Sequence, residues 1–272
     1  MKKLIAVTTV FLSFIVSANA QFRKMTDAEM AFLNSSHKAM YASLPTAYQD
    51  WTSQFNGTNF DAQYYWCAEK EAKCVGLCPV SMGKGDPWGL DVSVEFKMPQ
   101  SQSAGLMMPA YKQIKDFNNA TQIATALKSM AKTKLTISIF SNVSSGQIGA
   151  FLVSSCSKTP AVKLTIPVPT TLALMGIHSV DCPFMDGSRP DMAGDNYYDN
   201  AVVFLGKPVS GQYQDDRHDG QTRVRYAIGF DKTKINSLIV QNIVVKFSGD
   251  AEDIKAAIKL MDWEKLSALI AK

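Results

Sequence analysis

The most chemically loaded stretch of the chain is Met175-Gly-Ile-His178-Ser-Val-Asp-Cys182-Pro-Phe-Met185. Thioether, imidazole and thiolate are together the ligand types that soft metals such as Cu(I) prefer. On a strand, His178 and Cys182 share one face while Met175 and Met185 point to the other, so a bend is needed to gather all four. Just beyond, Asp186, Asp191, Asp195, Asp199 and Asn200 offer oxygen ligands of the kind calcium takes, but without EF-hand spacing. Asp, Asn, Gly and Pro are also what solvated turns are made of. Copper and calcium are therefore the two metals the residues admit, and the reading is that the chain carries no cofactor.

Catalytic signatures are sparse. The sequence has no Gly-x-Ser-x-Gly elbow, no His-Glu-x-x-His and no Walker-type Gly-Lys-Ser/Thr. Its three histidines are His37, His178 and His218, and a Ser-His-Asp arrangement would have to draw on one of them. His37 falls on the apolar stripe of a helix, where packing explains it. Asp215, Asp216, His218 and Asp219 crowd one segment; a charged hairpin turn accounts for them, and a hydrolase with an unmarked acidic site is the alternative. A metal-handling protein built on residues 175 to 185 is a further alternative. Trp66, Trp88, Tyr197 and Tyr198 are candidates for an aromatic platform against an apolar or amphipathic ligand.

Residues 1–20 carry Lys2 and Lys3, an apolar run from Leu4 to Val16, and Ala18-Asn19-Ala20 before Gln21, which is the three-part pattern of a secretory signal. Cleavage after Ala20 is expected, with the mature chain exported to a bacterial periplasm or the medium and without a transmembrane span. In an oxidising compartment disulfides are the default fate of Cys67, Cys74, Cys78, Cys156 and Cys182. The simplest pairing is Cys156 with Cys182 and two of the first three with each other, leaving one thiol over. The spacing Cys74-x3-Cys78 is wrong for a thioredoxin-type redox site.

The chain has 272 residues, 46% of them hydrophobic and 19% charged, the composition of a folded globular protein rather than a disordered one. The formal charge of +4 falls to +2 without Lys2 and Lys3, too little to argue for nucleic acid.

The elements that would position these residues alternate between helix and strand. Thr26-Asp-Ala-Glu29 is a capping box that opens a helix over 27–43, with Met30, Leu33, His37, Met40 and Leu44 at helical spacing. Leu90, Val92, Val94, Phe96 and Met98 alternate with polar residues, as do Leu135 to Ile139, Val162 to Val168 and Val224 to Phe230, the period-two pattern of strands with one solvated face. Weaker strands are predicted over 147–156, 172–181 and 201–206. Pro109 is expected to open a short helix to Phe117, and Asn119 to cap another. The apolar phase shifts between Val240 and Ile243, so a bulge is predicted near Gln241-Asn242. Asp250 and Asp262 cap two closing helices.

The whole predicts an α+β protein: mostly antiparallel twisted sheet, with N-terminal, central and C-terminal helices packed on one face. Residues 21–272 form a single exported domain, or two packed halves meeting near 157–161. The function that follows is that of a non-enzymatic envelope protein holding an apolar or amphipathic ligand, or a protein partner.

Overall fold

The structure is a computed structural model and describes residues 22–24, 26–57, 65–67, 89–116, 119–143, 151–156, 161–177, 198–206, 209–216, 221–228 and 238–270. Its first elements are β1 (Phe22–Lys24) and helix α1 (Asp27–Tyr41). The capping box forms as the sequence predicts: Glu29 N donates to Thr26 Oγ1 at 3.2 Å, and Thr26 N donates back to the Glu29 carboxylate at 2.8 Å. Leu33, Ser36 and Met40 recur at one-turn spacing and form the buried stripe of α1. Strands β2 (Thr52–Gly57) and β3 (Tyr65–Cys67) follow; neither TSQFNG nor its neighbours alternate, so the sequence does not announce β2. It is an exposed edge strand whose backbone, not its side chains, makes the pairing with β4 (Leu90–Lys97).

Between β4 and β5 (Lys134–Ser141) lies a helical pair, α2 (Gln100–Lys112) and α3 (Ala120–Ala131). Lys97 stands opposite Lys134 in the ladder and Met98 N donates to Thr133 O at 2.9 Å, so the pair leaves and re-enters the sheet at one point. Pro109 does not open a helix as expected; it sits inside α2, which begins after Pro99. The one bond a proline removes is that to the carbonyl four residues earlier, here exposed Gly105, where water can replace it. Asn119 does cap α3, its side chain accepting from Gln122 N.

The remaining strands are β6 (Phe151–Cys156), β7 (Val162–Lys163), β8 (Leu172–Gly176), β9 (Asp199–Gly206), β10 (Val209–Asp216), β11 (Gln221–Ile228) and β12 (Asn242–Gly249). The predicted strand over Val162 to Val168 shrinks to two residues, followed by one further bond from Leu164 N to Ala173 O. Pro167 and Pro169 lack the N–H a ladder needs, and Leu164, Ile166 and Val168 pack against the core as irregular chain. Helices α4 (Ala251–Leu260) and α5 (Trp263–Ala268) close the chain, capped by Asp250 and Asp262 as expected.

The fold is α+β. Seven strands pair antiparallel in the order β2-β4-β5-β12-β9-β8-β7, while β10-β11-β6 and β1-β3 form smaller sheets. Among the described residues no helix is long and apolar enough to cross a membrane.

Register decides which residues share a face. One row across five strands reads Val92, Ile139, Val245, Val203, Ala173, and the next on the same face reads Val94, Ile137, Phe247, Ala201, Met175. All ten are buried in one cluster with Leu33 and Met40 of α1, Ile254 and Ala257 of α4, and Trp263 and Leu266 of α5. Burying a side chain of this size contributes about 1.5–3 kcal/mol, so these two rows are the main adhesive of the fold.

Two polar devices fasten this layer. Tyr48 donates its hydroxyl to Asp253 at 2.5 Å, tying the loop after α1 to the first turn of α4. Burial, helped by the neighbouring carboxylate, pushes the Tyr48 hydroxyl far above its ordinary range, and burial also raises Asp253. Trp263 Nε1 donates to Ile258 O at 2.7 Å across the junction of α4 and α5.

The predicted bulge near Gln241-Asn242 does not form, because β12 begins only at Asn242. A pair of asparagines makes the corner instead. Asn142 Oδ1 accepts from Gln241 N and its Nδ2 donates to Ile239 O, both at 2.7 Å; Asn242 Oδ1 accepts from Val143 N at 2.8 Å and its Nδ2 donates to Val143 O at 3.2 Å. Both residues are 1% exposed, and Asn142 holds φ at 50°. Asparagine tolerates that left-handed backbone better than most residues. Val240 keeps its buried place by bridging to Ile270, and Leu238 lies exposed.

Candidate functional site

The alternate residues of the same strands make the other face of the seven-stranded sheet. Its rows read Ser93, Ser138, Lys246, Val202, Leu174, then Glu95, Thr136, Ser248, Asn200, Gly176, and on the other side Asp91, Phe140, Val244, Phe204, Leu172. In the first row the character changes between β12 and β9: three polar residues give way to two apolar ones. Val143, Val202, Phe204 and Val244 are buried on this face, with Phe140, Ala161, Leu172 and Leu174 half-buried against them. Strand β6 lies beside β8 and β9, at the apolar end.

At the polar end the surface dips into a depression of about 270 Å³. Its walls are the hydroxyl residues Thr136, Ser138, Ser248 and Tyr198 together with Glu95, Lys134 and Lys246. Each strand contributes through its period of two: 136 and 138 from β5, 246 and 248 from β12, and 95 from β4. Tyr198 stands immediately before β9.

Electrostatics here are lopsided. Glu95 receives Lys97 Nζ on Oε1 and Lys134 Nζ on Oε2, each at 2.6 Å. Burial works to raise the Glu95 pKa, but the hydrogen bonds from Lys134 and Lys97 outweigh it and hold the carboxyl below its ordinary range. One carboxylate thus serves two lysines. Lys246, also in the wall, has no carboxylate within ion-pair distance among the described residues. Beside Ser248 in the ladder, Asn200 keeps a buried Oδ1 with no hydrogen-bond partner among the described residues. The arrangement can hold an anion or a hydroxyl-rich group.

Of the four candidate aromatics, Tyr198 is the one placed at this depression. Trp66 lies on β3 opposite Arg23, and Trp88 and Tyr197 lie outside the described residues. In the candidate metal set Met175 is fully buried in the main core, while His178, Cys182 and Met185 lie outside the described residues. Asp199 Oδ2 accepts from Ala251 N at 2.9 Å, so it orders the start of α4, and Asp186, Asp191 and Asp195 fall outside the described residues. Among the described residues, no group of three or more His, Cys, Asp and Glu stands close enough to hold a metal ion.

The expected hairpin forms, β10 pairing antiparallel with β11, but Asp215 and Asp216 lie within β10, opposite Arg223 and Thr222, rather than in the turn. His218 and Asp219 lie outside the described residues. So do Cys74, Cys78 and Cys182; Cys67 ends β3 and Cys156 ends β6. His37 is half-buried on α1, with its ring edge-on to Tyr41 at 4.6 Å. Burial lowers its pKa, against an opposing pull from Asp91.

Lys134, Lys246, Thr136, Ser138, Ser248 and Glu95 are the residues that sequence reasoning did not single out. Their signal was the polar half of each alternating strand, which reads from sequence only as a solvated face. The class defined here is thus an α+β protein with a seven-stranded antiparallel sheet covered by the main core on one face and carrying a polar depression beside a second, buried apolar cluster on the other. No protein family, no curated protein and no solved structure matches this chain.

Proposed function

We propose that the chain is an exported, non-enzymatic binding protein of the bacterial envelope or medium that holds an amphipathic ligand on the mixed face of its large sheet. The observation that carries this reading is the change from Ser93, Ser138 and Lys246 to Val202 and Leu174 along one row, with the depression at the polar end. Ligand sites join apolar surface to a few convergent polar groups, and in this row the half-buried Leu174 is the apolar member left partly open beyond the buried Val202. The interface between sheet and helices is filled by fully buried side chains, and on the opposite face Val202 and Val244 are fully buried as well, so the apolar contact for a ligand there falls to the half-buried Phe140, Leu172 and Leu174 beside the polar depression. Export rests on residues 1–20, and with it the pairing of cysteines into disulfides.

Native mass spectrometry of the protein purified from its own compartment tests the reading. The expected result is a population carrying an added mass that organic solvent extracts and that fragments as an amphiphile. Bare protein throughout, or a mass increment of a metal ion, sinks it.

A further inference from the structure

We infer that the polar end of this surface is an oxyanion subsite: the head group it takes is a carboxylate or phosphate, bound by Lys246 with the hydroxyls of Ser138 and Ser248. The inference rests on the binding function proposed above and names the chemistry of its ligand. Three lysines, Lys97, Lys134 and Lys246, stand at or around a depression whose single acidic wall residue, Glu95, is already shared between two of them. An anion arriving there meets a cation that no described carboxylate neutralises. Ser138 lies directly opposite Lys246 in the β5 and β12 ladder, and Ser248 stands two residues on along β12, on the same face. Hydroxyl donors beside an ammonium form the charge-assisted hydrogen bonds that oxyanions favour. Val202 stands opposite Lys246 on β9 and Val244 two residues before it on β12, both buried, while Lys246 itself is exposed and open to an arriving anion.

Glu95 then acts as a built-in competitor. It pairs with Lys134 and Lys97, so removing its charge lowers the repulsion that an incoming anion meets beside Lys246. This gives the proposal two variants of opposite sign. Calorimetric titration of the chain as its cell processes it uses three probes: dodecanoate below its micellar concentration, dodecan-1-ol with the same tail and no charge, and acetate with the charge and no tail.

The expected result is that dodecanoate binds roughly tenfold or more tightly than dodecan-1-ol, the worth of one hydrogen bond to a charged group. That preference should vanish in Lys246→Met, survive in Lys246→Arg and grow several-fold in Glu95→Gln. Equal binding of dodecanoate and dodecan-1-ol overturns the oxyanion subsite while leaving the amphiphile reading in place. Acetate binding as tightly as dodecanoate supports the subsite and overturns the amphiphile reading. If no probe binds, both are overturned.

Discussion

Replacing Asn142 by alanine should be among the most damaging single changes in this chain, although it deletes only an amide. The Asn142 side chain serves two backbone groups of the segment entering β12, Gln241 N and Ile239 O. Gln241 is buried, so its N–H would lose the bond to Asn142 Oδ1 where water can hardly replace it, at about 1–3 kcal/mol. The Ile239 carbonyl is half-buried, and water can recover part of its bond. Alanine would also have to hold φ near 50°, where its Cβ crowds the following carbonyl, for about 1–2 kcal/mol more. The sum is about 2–5 kcal/mol. Asn142→Gly removes the backbone penalty and keeps the lost bonds, so it should cost about 1–2 kcal/mol less than alanine. Asn242→Ala orphans Val143 N and O from the other side, for about 2–4 kcal/mol. Because the two asparagines build one network, the double variant should cost clearly less than the two singles added. Urea unfolding followed by far-UV circular dichroism, read at constant m, measures all four proteins. A loss under 1 kcal/mol for Asn142→Ala would refute the argument that the corner depends on these bonds. Equal losses for alanine and glycine would refute the backbone part of it.

Three further expectations come from the same structure. Phe96→Ala, at a fully buried position against Tyr48, should cost about 3–5 kcal/mol, whereas Met108→Ala on the exposed side of α2 should change stability by no more than about 0.5 kcal/mol; thermal unfolding of both separates core from surface. Gly206→Ala should destabilise by about 1–3 kcal/mol or more, since φ is +90° and a Cβ would run into the Gln241 carbonyl; an unchanged urea midpoint contradicts the geometry of that corner. Glu95 has a folded pKa below its ordinary value of 4.5, so its lysine pairs stabilise the protein above that pH and the contribution is lost as pH falls through the folded value. Glu95→Gln should therefore show a smaller loss of melting temperature between pH 5 and pH 3, and an identical acid limb in both proteins would show that the pairs contribute nothing.

What the sequence determines by itself is local. Thr26 with Glu29, and Asn119, Asp250 and Asp262, cap their helices because a side-chain oxygen one to three residues from an orphan N–H needs no tertiary partner to find it. Strands β4 and β5 are legible because burial of one face forces an alternation with period two, and the same alternation yields the α+β class. Helix α2 and the edge strand β2 are not. Pro109 reads as a boundary until solvent exposure makes its missing bond cheap, and β2 has no alternation because both of its faces are exposed.

Only the tertiary structure decides which polar residues meet. Ser138, Lys246 and Glu95 come from three strands more than forty residues apart along the chain, and register places them side by side. A one-residue slip would send each to the core instead. From sequence each is one polar residue on a solvated face. Neutralisation of Glu95 by two lysines, the lack of a described carboxylate at Lys246, and the orphaned Asn200 carbonyl are properties of the assembled sheet. The same holds at the corner, where a phase shift that local reasoning resolves with a bulge is resolved by two asparagines a hundred residues apart, Asn142 and Asn242. Hydrogen bonds of that range carry no local pattern, because the chain between the partners can have any sequence that folds.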